Sequence, residues 1–284
     1  MKPQKKRSAA ARVFSDFSNP ALARVSEDHF FESLTCFSIL PDVQVHESEE
    51  MIRVVSPGIP NWLTNAVLRC RLSPQNAHTA IADTNEYFYS KGVAPHWRLC
   101  PSDSPSDLGM HLARQGLALV EEEPAMAVDL ERLNQDTRTP AGFMIERVSD
   151  VATLREKNII TSKLGAGRSL GTLLLDLFTA YGFKSDSGWQ HYIGILNGKP
   201  VSCSSLFYAT GVAGIYMVAT LPEARRKGIG SAITMRALLD ARKRGYRVGL
   251  LQSSQMGYEA YRRLGFKTCF MIKTYVAAGP TGGS

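Results

Sequence analysis

Val218-Ala219-Thr220-Leu221-Pro222-Glu223-Ala224-Arg225-Arg226-Lys227-Gly228-Ile229-Gly230-Ser231 is an apolar run that passes through a proline and three consecutive cations into a turn with alternating glycines. Beyond it, Ile229, Ala232, Ile233, Ala237 and Ala241 recur at three- and four-residue steps, which predicts a helix over 228–244. The first N–H groups of a helix have no internal acceptor, and the helix dipole puts partial positive charge there. Arg225, Arg226 and Lys227 at such an end repel it unless an anion is held among them; the alternative is a solvated charge run. Gly228 and Gly230 remove the Cβ atoms that would keep an oxyanion from the backbone. The segment therefore reads as a strand end, a phosphate cradle and a helix.

Arg225-x-x-Gly228-x-Gly230 resembles the acetyl-coenzyme A loop of the GNAT acetyltransferase superfamily, Arg or Gln-x-x-Gly-x-Gly or Ala after a splayed strand. A second element of the resemblance, Tyr261-Arg262-Arg263-Leu264-Gly265-Phe266, follows in the expected order after one intervening strand. The resemblance implies acetyl-coenzyme A as co-substrate, no metal, and direct acetyl transfer to an amine without a covalent enzyme adduct. In that reading Val218, Ala219 and Thr220 offer backbone groups to the pantetheine arm. Arg225, Arg226, Lys227, Gly228, Ile229, Gly230 and Ser231 hold the pyrophosphate. An N–H at the splayed strand, that of Val218, polarises the acetyl carbonyl. Tyr261, a phenol of ordinary pKa about 10, protonates the departing thiolate, with a packed core aromatic as the alternative. Many family members carry Asn seven residues before this tyrosine; here the position is Ser254, which is left as a cofactor contact.

The amine must also lose a proton, and Glu146, His191, Tyr192 and Tyr216 are the candidate bases. Strand alternation points Tyr216 to the same face as Val218, so Tyr216 is the catalytic candidate among them, with a packed strand tyrosine as the alternative. The 164–170 loop and the 184–189 segment lie where relatives shape the acceptor site. Asp186 beside Trp189 would suit a cationic amine, with an ordinary turn and a core tryptophan as the alternative. Gly165-Ala166-Gly167-Arg168-Ser169-Leu170-Gly171 follows a helix rather than a strand and reads as a helix–helix connection, not a dinucleotide loop.

Outward from the motif, periodicity predicts strands at 143–148, 191–196, 201–208, 213–218, 248–252 and 266–275, with Asn197-Gly198 turning a hairpin. Helices are predicted at 150–163, 170–181, 228–244 and 258–264. The first half reads as a helix at 29–40, strands at 43–56 and 62–72, a helix at 76–92 and a strand at 96–100. A helix then runs to Gln115, capped from Ser104-Pro105-Ser106-Asp107 and stopped by Gly116, before extended chain at 117–130. His111-Leu112-Ala113-Arg114-Gln115-Gly116-Leu117 echoes the segment from Tyr261 to Phe266, a weak sign of duplication. The expected fold is α/β, a mixed and mostly antiparallel sheet flanked by helices, in two GNAT-like domains in tandem. Their boundaries are a basic tail at 1–27, a degenerate domain at 28–133, a linker at 134–142, the catalytic domain at 143–276 and a tail at 277–284. With no Arg-x-x-Gly-x-Gly loop, the first half should not bind coenzyme A.

The chain has 284 residues, 33 Lys plus Arg against 26 Asp plus Glu, and a net charge of +7. Lys2, Lys5, Lys6, Arg7 and Arg12 supply most of that charge, so it describes a tail rather than a nucleic-acid-binding face; a transit peptide is the other reading of this arm. Its 44% hydrophobic and 21% charged residues argue against collagen, coiled coil and wholesale disorder. No apolar run is long enough to span a membrane. Cys36, Cys70, Cys100, Cys203 and Cys269 are odd in number and lack ligand spacing, which suits reduced thiols and a cytoplasmic location. Expected partners are a small-molecule or peptide amine, with no membrane and no nucleic acid; the oligomeric state is open. The rival function is a non-catalytic acyl-coenzyme A sensor or partner-recruiting module.

Overall fold

The computed structural model describes residues 13–59, 61, 63–163, 167–184 and 186–277. In chain order the elements are α1 (Asn19–Thr35), β1 (Gln44–Glu47), β2 (Ile52–Val55), β3 (Ala66–Leu68), α2 (Ala77–Ser90), β4 (His96–Leu99), α3 (Leu108–Arg114) and β5 (Leu117–Asp129). After the connection come β6 (Phe143–Arg147), α4 (Val151–Thr161), α5 (Gly167–Tyr181), β7 (Trp189–Leu196), β8 (Lys199–Ala209), β9 (Val212–Thr220), α6 (Ile229–Lys243), β10 (Val248–Gln252), α7 (Tyr258–Arg263) and β11 (Lys267–Ala277). All strands join one sheet in the order β1-β2-β3-β4-β11-β5-β10-β9-β8-β7-β6. Only β3/β4 and β9/β10 are parallel; the other neighbours are antiparallel, so the sheet is mixed and mostly antiparallel as expected.

The order repeats outward from its centre. Beyond β11, the first half runs β4, parallel β3, antiparallel β2; beyond β5, the second half runs β10, parallel β9, antiparallel β8. The last strand of each half has crossed to the other: β5 pairs with β10, β11 pairs with β4, and β5 and β11 pair antiparallel along most of their length. The two helix–glycine–strand echoes are α3–Gly116–β5 and α7–Gly265–β11, each glycine at positive φ.

The first half departs from its sequence reading in four places. Helix α1 begins at Asn19, inside the predicted tail, because Ser18 is its N-cap and Pro20 stands in the first turn; it ends at Thr35 rather than residue 40. Its Phe30, Phe31 and Leu34 are buried on the sheet, each worth about 1.5–3 kcal/mol in area removed from water. The 43–56 strand is a hairpin of β1 and β2, turned where the Ser48 N–H donates to the Met51 carbonyl at 3.0 Å. Of 62–72 only Ala66–Leu68 is strand, and Trp62 lies outside the described residues. Helix α3 starts at Leu108 from an Asp107 cap, because Ser104 is bound into the sheet: the Leu72 N–H donates to its carbonyl at 3.0 Å and its own N–H donates to the Cys70 carbonyl at 2.9 Å. The basic arm up to Arg12 and residues 278–284 lie outside the described residues.

Candidate active site

Strand β9 pairs with β10 only from Ala213 to Ile215 and with β8 on to Thr220. From Tyr216 onward the β10 side of β9 is an open edge, and the strand changes there from buried to half-buried. At that point Met217 has φ +53° and forms a bulge: Ser205 faces Tyr216, Cys203 faces Ala219, and the single Ser204 opposes Met217 and Val218 together. The extra residue breaks the alternation. Tyr216, Met217 and Ala219 pack on the side of α1 and α5, whereas Val218 packs on the side of α6. Tyr216 and Val218 therefore do not share a face, contrary to the sequence expectation.

Strand β9 leads through a short 3-10 turn, Pro222–Ala224, to Gly228, the α6 N-cap, at φ +76°. The first helical bond runs from the Ala232 N–H to the Gly228 carbonyl at 3.0 Å; no side chain caps α6 and its first turn holds no acid. Ile229, Gly230 and Ser231 thus begin the helix with their N–H groups available to an anion. The three cations divide their work. Arg225, half-buried, donates from Nε to the Thr220 carbonyl at 3.0 Å and so braces the end of β9, while Lys227 donates to the Glu223 carbonyl at 3.0 Å. Arg226 is exposed and itself at φ +59°. The two glycines also differ. A Cβ at Gly228 would strike the Arg138 backbone carbonyl of the inter-half connection; one at Gly230 would meet only Thr220 Oγ1, at 3.6 Å.

Helix α7, which follows β10, carries Tyr261, whose ring packs edge-on to Phe266 with centroids 6.0 Å apart. Burial pushes the phenol up to about 12, with the nearby Thr234 hydroxyl of α6 acting the other way. It is thus neutral. Ser254 is exposed, and its Oγ accepts the Gly257 N–H at 3.3 Å, so it shapes the turn into α7.

Of the four candidate bases only Tyr216 borders the opened edge. Glu146 is exposed on β6, the far edge strand. His191, two strands from β9, is buried against Phe178, with Nδ1 3.0 Å from Ser205 Oγ, and desolvation holds its pKa well below the usual imidazole range. The Tyr192 hydroxyl donates to Asp240 at 3.1 Å. Burial raises the Tyr216 phenol too, which keeps it protonated and does not favour it as a base. Trp189 is a core residue stacked on Phe207, and Asp186 is exposed, so the two do not form one acceptor wall. Residues 164–166 of the other predicted acceptor segment lie outside the described residues.

The equivalent opening in the first half is closed. There the Asp103 carboxylate accepts the Cys70 N–H at 2.5 Å and the Cys100 N–H at 2.6 Å, bridging the ends of β3 and β4. At the head of α2, Asn76 closes a turn with Ser73 and its side-chain amide donates to the Glu50 carboxylate at 2.8 Å. This Asp103 plug was invisible in the sequence, as were the Met217 bulge and the Arg138 contact, since each depends on pairing between distant segments. Among the described residues no cluster of His, Cys, Asp or Glu could hold a metal ion, and no helix is long and apolar enough to cross a membrane.

Residues 187–268 match the family model described as Acetyltransferase (GNAT) domain. No curated protein matches the chain. Among solved structures, it is similar to a GCN5-related N-acetyltransferase from Kribbella flavida, at 18% identity and TM-score 0.68 over 91% of this chain and 96% of that one. One from Sphaerobacter thermophilus aligns at 18% identity and TM-score 0.60 over 93% and 94% of the two chains. A tandem GNAT protein from the clavulanic acid biosynthesis pathway aligns at 13% identity and TM-score 0.59 over 85% of each. The match covers the opened strand, the Arg225–Gly230 loop and α7, so residues 187–268 are similar to a GNAT acetyltransferase domain, and the likeness in fold extends across the whole sheet.

Proposed function

We propose that this protein is an N-acetyltransferase that moves an acetyl group from acetyl-coenzyme A directly to an amine, on a small molecule or a peptide, in the cytoplasm. The observation that carries the reading is the uncapped head of α6 at the end of a strand that has left its parallel neighbour. The fit to the donor is chemical: free N–H groups and the exposed Arg226 for a diphosphate, and an unpaired strand edge at Val218, Ala219 and Thr220 for an amide-bearing arm. Bound acetyl-coenzyme A supplies a thioester.

The chain's own groups then act on it. A backbone N–H at the bulge, that of Val218, polarises the acetyl carbonyl. The amine nitrogen attacks the carbonyl carbon, the carbon–sulfur bond breaks, and the sulfur takes the proton held on the Tyr261 hydroxyl. The proton lost by the amine returns to Tyr261 through solvent. Arg225 acts through the strand end that it braces. The domains proposed are a catalytic one at 143–276 and a degenerate one at 28–133, joined by 134–142, the degenerate half stopped from binding the donor by Asp103.

The test is release of free thiol from acetyl-coenzyme A across a panel of amines, amino acids and peptides, with calorimetric donor binding alongside. Turnover with at least one acceptor is expected. Tight donor binding with no acetylation would favour a sensor, and no donor binding would defeat the reading. Tyr261→Phe should lower kcat tenfold or more and leave donor affinity within about twofold, a loss of roughly 1.4 kcal/mol of transition-state stabilisation per tenfold; a wild-type rate would remove Tyr261 as the acid.

A further inference from the structure

Helix α1 belongs to the first half, yet one of its faces is turned onto the opened strand of the second. His29 and Ser33, one helical turn apart, and Cys36 just beyond the helix meet the side chain of Tyr216. His29 is 1% exposed. Its Nε2 lies 3.1 Å from the Phe207 carbonyl, an acceptor only, so that nitrogen carries the proton. Nδ1 is then a bare acceptor, and the Tyr216 hydroxyl donates to it at 2.9 Å. The two rings lie nearly parallel, 9° apart with centroids 5.8 Å apart, and Phe207 meets the imidazole edge-on. Space for the imidazole comes from Gly214, two residues before Tyr216: a Cβ there would collide with His29 Cε1.

We propose that His29 is a positioning residue of the transfer site: it holds Tyr216, the first residue of β9 past its pairing with β10, and through it the Met217 bulge that orients the Val218 backbone. The inference rests on the acetyltransferase reading above. Its physical basis is that a bulge residue at positive φ persists only where its neighbours fix it. Along the strand β8 does so, pairing with β9 before and after the bulge and accepting the Leu221 N–H at the Val201 carbonyl at 2.9 Å. Toward α1 the Tyr216 hydroxyl is the anchor, and its partner comes from outside the matched domain.

The experiment uses the full chain. His29→Phe keeps a ring and loses both hydrogen bonds; it should lower kcat about tenfold with the donor dissociation constant within twofold. His29→Asn, which keeps an acceptor near the Nδ1 position, should recover part of the loss. In a Tyr216→Phe background His29→Phe should cost little more. Nitrogen NMR of the labelled imidazole gives a readout apart from activity: a neutral ring protonated at Nε2, with an Nδ1 resonance that moves in Tyr216→Phe. A wild-type kcat in His29→Phe, an undiminished effect in the Tyr216→Phe background, or a ring protonated at Nδ1 would each overturn the inference. Absence of turnover in the unmodified protein would instead defeat the acetyltransferase reading, and the NMR result would still decide the hydrogen bond.

Discussion

Gly228 and Gly230 stand two residues apart in one loop and are glycines for different reasons. Gly228 needs its left-handed backbone and clears the Arg138 carbonyl; Gly230 is under neither constraint. Gly228→Ala should therefore lower the melting temperature and weaken donor binding together, which cannot separate access from folding. Gly230→Ala is the cleaner probe. Alanine is the better helix former by up to about 1 kcal/mol, so the melting temperature should hold or rise, while calorimetric affinity for coenzyme A should fall tenfold or more as the methyl crowds the diphosphate. The glycine spacing was legible because it is local. That Arg225 braces Thr220 rather than reaching outward was not, since Arg225, Arg226 and Lys227 look alike until the strand end is folded beside them.

At the scale of elements, each half has a pair of parallel strands that part, and they differ in what fills the parting. In the second half β9 is left without a strand on its β10 side from Tyr216 onward; in the first the Asp103 carboxylate takes the backbone N–H groups of Cys70 and Cys100. Burial raises the Asp103 carboxyl to about 7 against the two N–H donors that lower it, and nearby Glu27, which accepts the Ser102 N–H at 3.2 Å, is raised as well. A carboxyl whose folded pKa lies above its unfolded value binds more protons when folded, so stability falls as pH rises. The loss begins near the unfolded value of about 4 and is complete above about 7. Asp103→Asn should flatten part of the decline in denaturation midpoint between pH 4 and 8, leaving the part due to Glu27, and should cost about 1–3 kcal/mol at pH 5 because the amide turns a donor toward one N–H. An unchanged pH profile would remove Asp103 as its source. Most helices and the β7–β8 hairpin were legible from periodicity and turn residues. The β1–β2 hairpin was not, since its charged turn offers no glycine or proline.

The whole molecule is held by exchange. Because β5 completes the second half and β11 the first, neither half has a closed sheet of its own, and the connection at 134–142 joins parts already interleaved. Urea unfolding followed by fluorescence and by circular dichroism should give one coincident transition. Residues 134–284 expressed alone should aggregate, since β10 and β11 would each expose the edge that β5 covers; a soluble fragment with native circular dichroism would contradict this.

From its own residues the chain determined the glycine loop at 225–230, the helix behind it, the tyrosine-bearing helix and the glycine that ends it, because spacing along a few residues encodes each of these. Folding alone decided which strand lies beside which, where β9 bulges, that His29 meets Tyr216, and that Asp103 seals the first half. Those features join residues far apart in the chain, and their energy exists only once both partners are buried together, so no local pattern of residues records them.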